Sequence, residues 1–202
     1  MPETDQMTTL FVNHRREKLL NAIAYFTRNT RRCHTLKLFK LLNFLDFEHY
    51  RQTGRSVTGL SYQAFPKGPV PGELLNEIRQ KSGKETSDLM VRETFDDMSG
   101  EVLRRDFGVP KDFDESYFTP RELEIMERLV LFFDEAGSND MSAYSHDPKL
   151  PWKKIYGKGE GTGCTIPYEL ALEATPVVHD EPTIEKEEML MLKDVFQGTG
   201  LR

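Results

Sequence analysis

Apolar residues recur along this chain at helical spacing in two early stretches. Leu19, Leu20, Ile23 and Phe26 predict an amphipathic helix over Arg15 to Thr30, with residues 1–10 as a loose arm ahead of it. A second helix is predicted from an N-cap at Thr35 to about Gln52, with Gly54 as its stop. At about 100° per residue, Lys37, Lys40, Glu48 and Arg51 fall on one narrow face, expected to be wet. Leu38, Leu41, Leu42 and Leu45 fill a second arc, and Phe39, Phe47 and Tyr50 a third. A helix apolar over most of its circumference belongs at the centre of a domain. Asn43, Asp46 and His49 step by three through those apolar arcs. An unpartnered buried polar group costs roughly 1–3 kcal/mol, so these three must be hydrogen-bonded or open into a cleft.

Further along, period-2 alternation around Leu60, Tyr62 and Ala64 predicts a strand, and Pro69 and Pro71 predict an extended lead into a short helix over Glu73 to Lys81. Met90 to Phe95 and Glu101 to Phe107 read as two strands of a hairpin turning at Asp96 to Gly100. Thr119-Pro120-Arg121-Glu122 is a capping box with proline at the first helical position, starting a helix to about Ala136. Asn139 or Asp140 can cap a short helix through Tyr144 and Ser145, and Pro151-Trp152 opens another helical turn. Residues 157–163, GKGEGTG, read as a flexible loop before a short helix in IPYELALE. The expected fold is α+β and predominantly helical, a compact helical domain with a small antiparallel sheet. The predicted organisation is an arm at 1–13, one domain at 14–174 and an acidic tail at 175–202. That tail is disordered or holds a docking helix with Met189, Leu192 and Phe196 on one side.

Composition supports an ordinary globule: 202 residues, 38% hydrophobic and 10% aromatic, with no apolar run near the roughly 20 residues that cross a bilayer. MPETDQMTTL lacks the pattern of a secretory signal. Cys33 and Cys164 have no metal-site or disulfide spacing, so a reducing cytoplasm is expected, without metal or cofactor. The net charge of −6 is uneven: His14 to Lys40 carries eight bases against one acid, and Glu85 to Asp140 sixteen acids against six bases. Solvated helix faces explain this most simply; a charged partner steered to one side is the sharper alternative. Arg15, Arg16, Arg28, Arg31, Arg32, Lys37 and Lys40 could neutralise phosphates, but the acidic total and the lack of a polar recognition helix argue against nucleic acid.

Asp46, His49 and His146 could form a general acid/base set of a hydrolase or modifying enzyme. Such a set also needs a nucleophile or metal and an oxyanion donor, and no GxSxG, HExxH or Walker A motif supplies one. A structural polar network or a partner-facing cleft is therefore the favoured reading. The glycine loop follows a Trp-bearing helix instead of a strand, which disfavours a phosphate cradle.

One ordered set of motifs remains. Lys40-Leu41-Leu42, Phe44, Asp46-Phe47 and His49 are followed by Gly54-Arg55, Gly59, Tyr62 and Gly68-Pro69-Val70, then by the helix from Thr119, Ser145-His146 and Trp152. In this order and spacing, over roughly residues 15–173, the chain resembles the Panacea (SocA-like) antitoxin domain family. It departs at Asn43, where the family pattern shows an aromatic. The resemblance implies an antitoxin of a bacterial or phage toxin–antitoxin pair. Such a protein neutralises a cognate toxin, encoded nearby, by direct protein–protein contact without catalysis. A variant is an adaptor that delivers the toxin to a protease. The motif cleft expected to bind the partner comprises Asn43, Asp46, His49, Tyr62, Lys67, Pro69, Ser145, His146 and Trp152.

Overall fold

Helix α2 (Thr35–Thr53) is enclosed around its whole circumference: every residue from Lys37 to Gln52 is buried. The computed structural model describes residues 3–81, 88–95, 102–110, 112–136, 141, 144 and 146–177. The turn at Asp96 to Gly100, the caps at Asn139 and Asp140, Ser145 and the amphipathic stretch Ile184 to Phe196 lie outside the described residues.

Around α2 stand α1 (Glu3–Asn29), the hairpin β1 (Tyr62–Phe65) and β2 (Gly68–Pro71), α4 (Pro120–Phe133) and a C-terminal 3-10 helix (Tyr168–Glu173). Helix α3 (Gly72–Lys81) follows β2 directly, and strands β3 (Met90–Phe95) and β4 (Val102–Gly108) form a separate two-stranded antiparallel sheet. The fold is α+β and predominantly helical. Helix α1 starts at Glu3, not at Arg15, so residues 3–14 continue the helix where a loose arm was expected. Leu19, Leu20, Ile23 and Phe26 turn its apolar stripe into the core.

Two further expectations about α2 fail. The N-cap is His34, which makes no capping side-chain bond, and Thr35 is the first helical residue. The face of Lys37, Lys40, Glu48 and Arg51, expected to be wet, is buried: these residues are 0%, 1%, 3% and 8% exposed. A helical wheel shows which residues share a face but not which distant segment covers it. Here the cover brings its own partners. Lys37 Nζ donates to the carbonyls of Arg31, Asp134 and Ala136 at 2.8, 3.0 and 3.0 Å. It thus satisfies acceptors just beyond the C-terminus of α4, where a cation also complements the helix dipole. At the other end Gly54 stops α2 in the left-handed conformation, φ 72°, its N–H bonded to the Tyr50 carbonyl at 2.8 Å.

Helix α4 begins as its sequence dictates. Glu122 N–H reaches the Thr119 hydroxyl at 3.3 Å, and Thr119 N–H reaches the Glu122 carboxylate at 2.7 Å. Ile125, Met126, Leu129 and Phe133 form its inner stripe, and Phe133 stacks on Phe44 of α2 at 5.2 Å between ring centres. The helix ends at Phe133, one turn short of Ala136, where Lys37 gathers the terminal carbonyls.

Part of the uneven charge is paired within the molecule. Arg16 binds Glu77 and Asp88, both at 2.6 Å, and Lys18 binds Glu122 at 2.6 Å. Arg28 meets Asp112 at 3.0 Å, and Arg31 meets Glu135 at 2.5 Å and Asp134 at 3.6 Å. The exposed pairs contribute little, about 0–1 kcal/mol each. Their arrangement still accounts for the basic first third: it sits against the acidic middle of the chain.

Candidate functional site

Asp46 lies two residues past the middle of α2, fully buried, and collects the segment that follows the helix. Its carboxylate accepts from Val57 N–H at 2.8 Å, Thr58 N–H at 2.7 Å, the Thr58 hydroxyl at 2.5 Å and the Tyr62 hydroxyl at 2.7 Å. Tyr168 stands at 3.4 Å and donates mainly to the Leu60 carbonyl at 2.5 Å. Burial pushes the carboxyl above its ordinary value, and the donors from Thr58, Tyr62 and Val57 pull it back part of the way. Rings of Phe47, Tyr50, Tyr62 and Tyr168 surround the group, with Phe47 to Tyr168 at 4.7 Å and Tyr50 to Tyr168 at 5.3 Å. With two backbone and two hydroxyl donors on it, this carboxylate is committed to holding the loop.

His49, one step along the row, turns to different partners. Its Nδ1 lies 2.7 Å from the Arg55 carbonyl, which makes that nitrogen the protonated one. Nε2 faces Glu122 at 4.0 Å, but Lys18 holds that carboxylate at 2.6 and 2.8 Å. Burial lowers the affinity of His49 for a second proton, with the Arg55 carbonyl and Glu122 opposing. Glu122 therefore serves as helix cap, as counter-ion to Lys18 and as neighbour of His49.

Asn43, the third of the row, lines a cavity of about 30 Å³ with Phe44, Phe47, Trp152 and Val177. That is space for about one water, against roughly 300–1,000 Å³ for small-molecule sites. Glu48 and Arg51 pair at its edge, Gln52 Nε2 donates to Glu48 at 3.1 Å, and Arg121 donates to Gln52 at 2.9 Å. The second Glu48 oxygen accepts Val177 N–H at 3.1 Å, which ties the end of the described chain to α2.

His146 and Trp152 stack at 4.1 Å, and Tyr156 stacks on the other side of the indole at 4.6 Å. The indole N–H donates to the Phe65 carbonyl at 3.0 Å, pinning helix α5 (Pro151–Tyr156) to β1. Burial and then Lys40 and Lys153 depress the proton affinity of His146. Lys67 is exposed at the turn of the β1–β2 hairpin, and Pro69 is buried in β2. The predicted cleft thus resolves into separate structural junctions around α2. Asp46 and Tyr62 are brought together, as are His146 and Trp152. Asp46, His49 and His146 do not share a partner, and Ser145 lies outside the described residues.

The glycine loop, expected to be slack, is closely bonded. Gly157, Gly159 and Gly161 donate to the carbonyls of Lys153, Tyr156 and Tyr156, Lys158 N–H to Glu160, and Thr162 and Cys164 to Gly159 and Gly161. Gly163 N–H bonds Ala64 at 2.7 Å, and Ala64 and Ile166 N–H bond Cys164 and Tyr62, laying the loop's exit along β1. These amides are engaged by carbonyls of α5 and of the loop itself, by the Glu160 carboxylate and by β1, which leaves them no cradle for phosphate.

Thr58, Tyr168 and the Glu48–Arg51–Gln52 cluster were not predictable as site-forming residues. Thr58 and Tyr168 carry no periodic signal, and the charged cluster looked solvated. Among the described residues no group of His, Cys, Asp and Glu is placed to hold a metal ion, and no helix is long and apolar enough to cross a membrane. Compared with known proteins, residues 38–153 match the family model described as antitoxin SocA-like, Panacea domain. No curated protein and no solved structure matches the chain.

Proposed function

The chain belongs to the SocA-like Panacea antitoxin family, and from that premise we propose that it neutralises a cognate protein toxin by binding it directly, without catalysis. The observation that carries this reading is the family match over residues 38–153, which contains Asp46 with its donors Val57, Thr58 and Tyr62, and the His146–Trp152 stack. The geometry supports it. Asp46 is saturated with donors, His49 and His146 face separate partners, and the cavity beside Trp152 has room for about one water. Such residues build a rigid scaffold whose outer surface is free to grip another polypeptide. The protein would act in the cytoplasm as one domain around α2, with residues 178–202 as an acidic extension.

The test is coexpression with the product of the adjacent reading frame. Growth should fail with that product alone and recover when both are made. Continued toxicity in the presence of this protein, or a harmless neighbour, defeats the reading. The toxin's half-life separates the two modes: unchanged or lengthened for sequestration, shortened for an adaptor that hands it to a protease.

A further inference from the structure

Helix α4 carries two large apolar side chains on its outside: Leu131 is 75% exposed and Phe132 57%. On the helical wheel Leu131 lies nearly opposite Leu129, the centre of the inner stripe, so its exposure is set by the helix and not by a frayed end. Glu127 stands one turn before Leu131, with Glu124 a further turn back, and Glu135 lies in the segment just past the helix end. Phe132 is braced from below by Phe133 at 4.8 Å and Tyr144 at 5.6 Å. A braced aromatic beside an outward leucine is an anchor that loses little freedom on binding.

We propose that this outer face of α4 is the surface on which the toxin docks, through an apolar socket rimmed by Lys and Arg. This inference rests on the antitoxin reading and names its contact surface. Charge selects the occupant. Glu124, Glu127, Asp134 and Glu135 stand there against Arg31 and Arg128, four acids to two bases, and both arginines form exposed pairs within the patch. Among the described residues no cation pairs with Glu127. A second copy of this chain would set acidic face against acidic face. The chain's own residues 178–202 hold six acids and three bases, again the same sign as the face. A basic partner is complementary to the face and to the whole molecule, whose net charge is −6.

The experiment titrates the purified product of the adjacent reading frame with the full chain and its variants, after the wild type has been shown to neutralise it in cells. Leu131→Ser and Glu127→Lys should each weaken binding at least tenfold, and Glu127→Lys should also flatten the salt dependence. Both residues are on the outside, so the thermal midpoint should stay within a degree or two of wild type. A double variant that binds and neutralises as well as wild type overturns the surface while leaving the antitoxin reading intact. A wild type that neither binds nor neutralises removes that reading and this one with it. If the wild type sediments as a dimer and Leu131→Ser as a monomer, the face belongs to a second copy and the proposal fails. It fails equally if deleting residues 178–202 speeds amide exchange across 127–135.

Discussion

The Tyr62 hydroxyl donates to the Asp46 carboxylate at 2.7 Å, joining the first strand of the hairpin to the central helix through two fully enclosed side chains. Asp46→Asn keeps the shape but turns an amide N–H₂ toward donors that need an acceptor. Stability should drop by about 2–4 kcal/mol, and by about 1–2 kcal/mol for Tyr62→Phe. In a double-mutant cycle by chemical denaturation the two losses should fall short of additive by about 1 kcal/mol. Additive losses would mean that the bond contributes nothing of its own.

Glu122 joins α1, α2 and α4 through one carboxylate. Glu122→Gln retains reach to the Thr119 amide but loses the charge facing Lys18, so about 1–3 kcal/mol of stability should go. Lys18→Met should cost a similar amount and add little in the double variant. Urea midpoints would show it, and a neutral single variant would rule the pair out as a structural tie.

His49, which is buried, and His146, which is half-buried, both resist protonation in the folded chain, with desolvation the leading cause in each. An unfolded histidine titrates near 6.5, so below that pH the unfolded state binds more protons and stability falls as pH falls. The denaturation midpoint should therefore decline from pH 7 to pH 5. His49→Gln should make the decline shallower; an unchanged slope would clear His49 of responsibility.

Gly161 has no room for a side chain, because an added Cβ would lie 1.8 Å from the Ile155 carbonyl oxygen. Gly161→Ala should displace the loop from β1 and lower stability by more than about 2 kcal/mol. The single tryptophan reports this directly, since its indole N–H bonds the Phe65 carbonyl of the same strand. A wild-type emission maximum and midpoint in the variant would refute it.

Ion pairing within the chain also sets an expectation for DNA. Arg16, Lys18, Arg28, Arg31 and Lys37 already hold carboxylates or carbonyls. Gel shift with upstream DNA should show no complex at about 0.15 M salt. A band that survives there would establish a nucleic-acid surface.

Sequence periodicity located α2 and α4 because their signals are local: Gly54 can adopt the left-handed stop, and Thr119 and Glu122 cap each other three residues apart. The strand around Tyr62 was equally visible from its alternation. What escaped was decided far away in the chain. The charged side of α2 gives no hint that the backbone beyond α4 will cover it, so Lys37 reads as solvated until Asp134 and Ala136 are in place. The same distance hid the candidate site. Asp46, His49 and His146 look like one catalytic group in a list of residues, yet folding gives each its own partners.

The three carbonyls around the Lys37 ammonium carry a consequence for synthesis. That of Arg31 lies 6 residues before Lys37, but those of Asp134 and Ala136 lie 97 and 99 residues after it, so the wrapping of α2 closes only after residue 136 has left the ribosome. Until then a nascent chain presents an apolar rod studded with unmet charge, a target for chaperones and proteases alike. A ribosome stalled within the first hundred codons would yield a fragment with no protective power, so the supply of functional molecules should track completed translation.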